Sequence, residues 1–450
     1  MLNLKFKVMD SSVATAEVYQ LSCGKIESSL ENGIEVLKSI RYANSTRFQK
    51  PEAVADSEDW INLPSKTPVA PQNTFEFLDR MIQKTEAENF LVEENNQFLS
   101  IYKPMGLQNE KLPILVWIHG GSYEIGCGDI PTSDPSSWVK EQNIIVVAVS
   151  YRLGYFGFLG GTEERPANLG LLDMLEALKW IQKNADNFGG DSSNVTMLGQ
   201  SSGGDAIAHL MLVKDSEKLF KRAIIQSAPL GLRLNREKMV AQFLNKTRKY
   251  SSVKNGEEVI KFEVKKRPSV LKYGLKAAMP YGTQYGHFPL CSEKESWDLW
   301  KKKAPYFDVL IGYNEDETAF YIKTQPKLRS YSNRDFGKRM LDKAVRWSTD
   351  KIYAFPTERF AKNWKSGGGN CHLFKLKSTI ENHTIGAGHC FDLPLLFGNK
   401  NVWEGAGILN DLTWNFVEEN GIKLRAIWVG FIKNGIIGEK SNFPEVLEIE

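Results

Sequence analysis

The run Gly199-Gln200-Ser201-Ser202-Gly203 sets a serine between glycines two positions away on either side. That spacing suits a strand-to-helix turn too sharp for side chains at its flanks. Such a turn strains the serine backbone and lifts the hydroxyl above a sheet edge. A helix starting at Ser202 also brings the positive end of its dipole to Ser201, where negative charge develops during attack on a carbonyl. Acyl transfer is the chemistry such a serine can perform. Ser202 is the alternative nucleophile, but register turns its backbone N–H, not its hydroxyl, toward a substrate. Upstream, His119-Gly120-Gly121-Ser122-Tyr123 form a glycine-rich bend able to aim successive N–H groups at the oxygen of a tetrahedral intermediate. The expected donors are the amides of Gly121 and Ser122, with Ser202 as the third. His119 is expected to be structural, its ring pointing away from those amides. A serine nucleophile needs a base, and the chain has six histidines. His209 falls on the apolar face of a helix and reads as core. His287, His372 and His383 have no distinguishing context, and local pattern alone only shortlists the base and its acid.

The elements that must position these residues follow from hydrophobic periodicity. Leu112 to His119 and Ile144 to Tyr151 are short continuous apolar runs bounded by turn residues, as buried parallel strands should be. Apolar residues at 171, 174, 175, 178 and 181 follow helical spacing, and Asn187 to Ser193 end that helix with a glycine pair. Asn194 to Gly199 then read as a strand and Asp205 to Val213 as a helix. Further strands are predicted at Ala223 to Ser227, Phe307 to Tyr313 and Cys371 to Leu376. This alternation implies an α/β fold, a mostly parallel central sheet with helices on both faces. Arg233 to Lys303 and Thr324 to Trp364 lack clear strands. Both are expected to be helical insertions forming a cap or gorge wall on a single domain spanning 1–450.

Composition narrows the class further. Of the 450 residues, 42% are hydrophobic and 25% charged, enough for a large core. Lysine and arginine number 57 against 54 acids, a net charge of +3 that points to neither nucleic acid nor an anionic membrane as partner. The first twenty residues hold no uninterrupted apolar stretch of signal-peptide length, and no segment approaches the ~20 apolar residues of a membrane span. Cys23, Cys127, Cys291, Cys371 and Cys390 are an odd set without CxxC spacing, so neither a zinc ribbon nor a disulfide framework is indicated. Asn-x-Ser/Thr sequons at Asn44, Asn194, Asn245 and Asn382 read as chance in a chain without a route to secretion. The chain is expected to be cytoplasmic, with a small-molecule substrate, no cofactor and no metal. Monomer and homo-oligomer both remain open.

The ordered motifs resemble those of the type-B carboxylesterase/cholinesterase family over most of the chain. Ile40-Arg41-Tyr42-Ala43 with Arg47-Phe48, Asn95 to Tyr102, Ser150 to Gly154, Asn168 to Asp173, Asn187 to Asp191 and Ile225-Gln226-Ser227 are each similar to a family block, in family order. The resemblance implies the α/β-hydrolase fold and completes a triad. His389, in Gly386-Ala387-Gly388-His389 with Phe397-Gly398 downstream, is similar to the catalytic-histidine segment. Gly312 to Glu317 resemble "G-x-N-x-D-E-G", a register that selects Glu317 over Glu315 or Asp316. The order serine, acid, histidine is that of α/β-hydrolases. Ser227 resembles a supporting serine behind the triad. His389 and Asp392 have HxxD spacing, but no further ligands cluster in the sequence to suggest a metal.

Departures from the family pattern bear on the substrate. Ala70 and Asn96 stand where secreted members place a disulfide, which supports a reducing compartment. No tryptophan lies between residues 70 and 96, so the cation–π platform for choline is missing and acetylcholine is a poor substrate candidate. Ser122 replaces the third glycine of the usual HGGG loop, and Thr318 the glycine after the acid. The segment between Ser227 and Phe307 is shorter than in secreted members, so the gorge is expected to be more open. Tyr123, Phe156 and Phe158 are candidate pocket residues, with plain core as the alternative. The expected activity is hydrolysis of carboxylic esters through an acyl-enzyme on Ser201. The alternatives are a non-catalytic cholinesterase-like interaction protein, or thioester or amide cleavage by the same machinery.

Overall fold

The computed structural model describes residues 16–82, 89–106, 110–328, 335–378, 380, 383–438 and 443–450. Residues 1–15, the sequon at Asn382 and part of the second insertion (329–334) lie outside the described residues. A ten-stranded sheet dominates the structure. In chain order its strands are β1 (Ser29–Glu31), β2 (Ile34–Arg41), β3 (Phe98–Lys103), β4 (Leu112–Ile118) and β5 (Ile145–Val149). They continue with β6 (Gly190–Gln200), β7 (Arg222–Gln226), β8 (Asp308–Asn314), β9 (Cys371–Leu376) and β10 (Leu447–Ile449). Across the sheet the order is β10-β9-β8-β7-β6-β4-β5-β3-β2-β1. The middle strands β5, β4, β6, β7, β8 and β9 run parallel, while β1 to β3 and β10 pair antiparallel at the edges.

The strand pleat sorts side chains into two cores. Ile114, Val116 and Ile118 of β4 join Val147, Met197, Ile225 and Ile311 on one face. Leu115 and Trp117 join Val146, Leu198, Ile224 and Phe374 on the other. Helices cover both faces, which is why β5 reads as one unbroken apolar run. On the second face lies α1 (Ser136–Gln142), through Trp138 and Val139. On the first lie α2 (Leu169–Asn184), through Leu171, Leu178 and Ile181, and α3 (Ser202–Leu210), through Ala206, Ile207 and Leu210. Each buried Leu or Ile contributes about 1.5–3 kcal/mol of transfer free energy.

Between β7 and β8 the chain runs through α4 (Glu237–Thr247), α5 (Gly256–Val264) and α6 (Ser296–Lys303). Between β8 and β9 it runs through α7 (Asp335–Thr349) and α8 (Phe355–Ser366). Helical content therefore fills the two stretches without strand patterning. The long α9 (Trp414–Asn434) is capped by the Thr413 side chain, which accepts from the Phe416 amide at 3.2 Å. It covers the second face through Leu424, Trp428 and Phe431.

One expectation needs correction. Residues 190–193, assigned to a helix-ending turn, begin β6, where Gly190 and Asp191 pair with Leu112 and Pro113. The register shifts between Pro113 and Ile114, where proline supplies no N–H to the ladder, and Ile114 resumes pairing at Val195. The irregularity breaks the apolar alternation that marks a strand in sequence.

Candidate active site

The chain leaves β4 for β5 on one side and then returns past β4 to lay down β6 on the other. Such a reversal opens a crevice beyond the carboxyl ends of the two neighbouring strands. Ile118 pairs with Gly199, so the glycine bend after β4 and the serine turn after β6 emerge side by side.

Ser201 is the hinge between β6 and α3, with φ 56° and ψ −124°. A residue other than glycine in that region carries on the order of 1–3 kcal/mol of strain. The turn is pinned by the Ser201 amide donating to Gln226 at 2.8 Å and by the Asp205 amide donating to the Ser201 carbonyl at 3.0 Å. Gly203 is required by close approach, because a Cβ there would run into the Ile118 carbonyl oxygen.

His389 and Glu317 arrive from the loops after β9 and β8. The Ser201 hydroxyl lies 2.9 Å from His389 Nε2, and His389 Nδ1 lies 2.5 Å from Glu317 Oε2. The second Glu317 oxygen accepts from the Asn314 amide at 2.9 Å, and the His389 amide donates to the Glu317 carbonyl at 2.9 Å. Asn314 also donates through Nδ2 to the Gly388 carbonyl at 2.9 Å, strapping the two loops together. Exposure falls along the relay, from 5% at Ser201 to 2% at His389 and 0% at Glu317, so only the serine end faces outward. The structure thus brings together the three residues that the sequence singled out.

The glycine bend carries consecutive positive φ angles, 107° at Gly121, 57° at Ser122 and 62° at Tyr123. Gly121 needs its freedom, since a Cβ would strike the Ile125 carbonyl. Ser122 adopts the same region at a cost of about 1–2 kcal/mol. Tyr123 holds the bend in place: its amide donates to Ser202 Oγ at 3.1 Å and its hydroxyl to Asp205 Oδ2 at 2.6 Å. Ser202 therefore spends its hydroxyl on the bend. The amides of Gly121, Ser122 and Ser202 have no acceptor among the described residues.

His119 is buried and stacks on Tyr151 at 4.4 Å, with Nδ1 at 2.7 Å from the Gly120 carbonyl; burial pushes it down to about 4. His209 is fully buried, between the Asp205 carbonyl at 2.7 Å and the Tyr285 hydroxyl at 2.8 Å. Tyr123, Phe156 and Phe158 are core residues. The buried Ser227 hydroxyl has no hydrogen-bond partner among the described residues, and the Asn314 amide is what holds Glu317. Thr318, in the place of a glycine, donates to the Val345 carbonyl at 2.9 Å and ties the acid's loop to α7.

Sequence reasoning missed several contributors. Tyr321 and Tyr353 wall the histidine, with ring centroids 5.5 and 5.4 Å from it. Tyr321 lies one helical turn beyond Glu317, the only spacing that hints at it. Asp205 carries no distinguishing pattern, and Asn314 shows in the sequence only as the asparagine of the "G-x-N-x-D-E-G" resemblance, which gave it no role. Among the described residues no group of three or more His, Cys, Asp or Glu side chains is arranged to hold a metal ion.

A match to the pattern of the Carboxylesterase family covers residues 15–335. The chain belongs to the carboxylesterase family. Ester hydrolysis by a serine acyl-enzyme is general to that family, and this chain is a carboxylic-ester hydrolase. It is similar to a probable N-octanoylanthranilate hydrolase of Rhodococcus erythropolis, 28% identical over 421 residues and 90% of each chain. It is 34% identical to the para-nitrobenzyl esterase of Bacillus subtilis over 220 residues, 47% of this chain and 44% of the relative. Among solved structures, a thermophilic para-nitrobenzyl esterase superposes with a TM-score of 0.75 over 97% of this chain and 98% of its own, at 24% identity, a likeness of fold.

Proposed function

We propose that this carboxylesterase works through Ser201 as nucleophile, His389 as base and Glu317 as the acid that orients it. The 2.9 Å contact between Ser201 Oγ and His389 Nε2, with Glu317 on the other ring nitrogen, is the observation that carries this assignment. Oγ attacks the carbonyl carbon of a small ester while its proton passes to Nε2. The oxyanion is received by the unpartnered amides of Gly121, Ser122 and Ser202, each such donor being worth about 3–4 kcal/mol to the transition state. Collapse breaks the carbon–alkoxide bond, and His389 returns its proton to the leaving alcohol. Water, deprotonated by His389, then attacks the acyl-serine and releases the acid. Glu317 stays ionised, holding the Nδ1 proton and stabilising the imidazolium.

A chromogenic short-chain ester tests this directly. The parent protein should release a burst of alcohol equal to its active-site concentration. Ser201→Ala should show no burst and lose about 10⁶ in kcat. A parent without a burst contradicts the assignment. Labelling by a fluorophosphonate separates this enzyme from a non-catalytic interaction protein, which would stay unlabelled.

Amide cleavage is the second reading, favoured by the R. erythropolis relative, whose name describes an N-acyl substrate. An anilide turned over faster than its matched ester would make it the first. No helix among the described residues is long and apolar enough to cross a membrane. Ala70 and Asn96, in place of a disulfide, support a cytoplasmic setting. The continuous sheet spanning β1 to β10 supports one catalytic domain with the α4–α6 and α7–α8 segments as its cap.

A further inference from the structure

A cavity of about 1090 Å³ lies outside the triad; Ser201, Glu317 and His389 do not line it. Four of its lining residues are arginines, and three of them, Arg165, Arg233 and Arg236, are buried. Their exposures are 5%, 2% and 4%. Arginine at that depth normally meets a carboxylate, because burying an uncompensated charge is strongly unfavourable. Among the described residues neither Arg165 nor Arg236 forms an ion pair, and Arg233 has only Asp205, 3.3 Å from its Nε.

Arg165 lies over the Tyr155 and Phe48 rings, at 3.7 and 4.4 Å from their centroids, and donates through Nη2 to the Tyr155 carbonyl. Its Nε and Nη1 reach no acceptor. Arg236 spends both Nη groups on the carbonyls of Leu232, Met279 and Tyr281, leaving Nε unpartnered. Arg233 Nη1 is unpartnered too, as is the buried Thr283 hydroxyl on the same wall. Gly282 makes room for Arg233, because a Cβ there would collide with Nη1. Burial, with Arg233 adding repulsion, pushes Arg236 well below its ordinary value, and burial lowers Arg165.

The acids that line the cavity are engaged elsewhere or exposed. Glu164 faces Arg248 at 3.9 Å, Glu293 accepts from the Asn235 amide at 2.8 Å, and Glu237 is exposed on α4. The cavity thus has a floor of three buried guanidinium groups with one carboxylate, Asp205, among them, and a mixed rim.

We propose that this cavity binds an oxyanion, the carboxylate or phosphate group of a small molecule. Guanidinium forks suit such groups because two N–H donors meet two oxygens at once. The anion is either a free metabolite or an acid group carried by the ester itself.

Titration with inorganic phosphate and with succinate, against chloride at equal ionic strength, tests the site without reference to turnover. At a hundredfold excess over Kd the thermal midpoint should rise by about 3 °C. Arg165→Met should weaken binding at least tenfold. Ala241→Glu, on the exposed side of α4 at the cavity wall, should do the same with no buried group removed. Phosphate inhibition competitive with a carboxylate-bearing ester, but absent with a neutral one, identifies the ester's own acid group as ligand. Binding without inhibition of either identifies a free anion. A parent that binds neither probe beyond chloride, or an Ala241→Glu variant that binds phosphate as the parent does, overturns the proposal. Either result leaves the Ser201 assignment untouched, since that rests on the burst.

Discussion

At the residue scale, the site's chemistry rests on buried groups whose charge depends on their neighbours. Asp392 is the sharpest case. Burial, with the Glu317 charge next, pushes its carboxyl up to about 7. In the unfolded chain an aspartate titrates near 3.9. The native protein therefore holds this proton more tightly than the unfolded one. Its contribution to stability is fully present below about pH 4 and is lost as pH rises toward 7, by about 1.4 kcal/mol per unit at most. Asp392→Asn is expected to flatten that decline, which urea midpoints at pH 4.5 and pH 8 would measure. Identical pH dependence in parent and variant would contradict it. Such a group is invisible in the sequence, where Asp392 shows only its HxxD spacing to His389. Ser201 was legible because its strained turn demands glycines at fixed offsets, a constraint that a local pattern can display.

At the element scale, the strand ends decide which loops meet. β4 and β6 are hydrogen-bonded neighbours, so their following loops share one crevice although far apart in sequence. The glycine bend is then held by a link that no motif announces, Tyr123 to Asp205 on α3. Tyr123→Phe removes the donor to a buried carboxylate, and should cost about 1–3 kcal/mol of stability. Because the bend also carries the proposed oxyanion amides, kcat should fall more than KM rises. Unchanged kcat in a folded variant would detach Tyr123 from the bend's geometry. The central strands were legible because burial on both faces makes them continuous apolar runs. The edge strands β1, β2 and β10 were not, since a strand's place at a sheet edge depends on partners distant in sequence. The start of β6 was hidden by the irregularity at Pro113.

At the scale of the whole molecule, buried ion pairs join segments that the sheet alone leaves separate. Arg152, after β5, grips Asp173 of α2 through Nε at 2.9 Å and Nη2 at 2.7 Å, and donates through Nη1 to the Gln49 carbonyl at 2.7 Å. Both side chains are buried. Arg152→Met would leave the Asp173 charge buried without its partner, at a cost of about 3–5 kcal/mol. Urea unfolding should show that loss as a lower midpoint, and an unshifted midpoint would mean water reaches Asp173. Both residues sit in blocks that resemble the family pattern, but their pairing is a property of the fold, legible only once β5 and α2 are packed.

The central claim is that acyl transfer passes through the Ser201 hydroxyl. Rapid quenching of the parent protein with a short-chain ester, followed by peptide mass mapping, tests it most directly. The acyl mass should appear on the peptide containing Ser201, at the rate of the alcohol burst. Alcohol released with no adduct, or an adduct on another side chain, would contradict it.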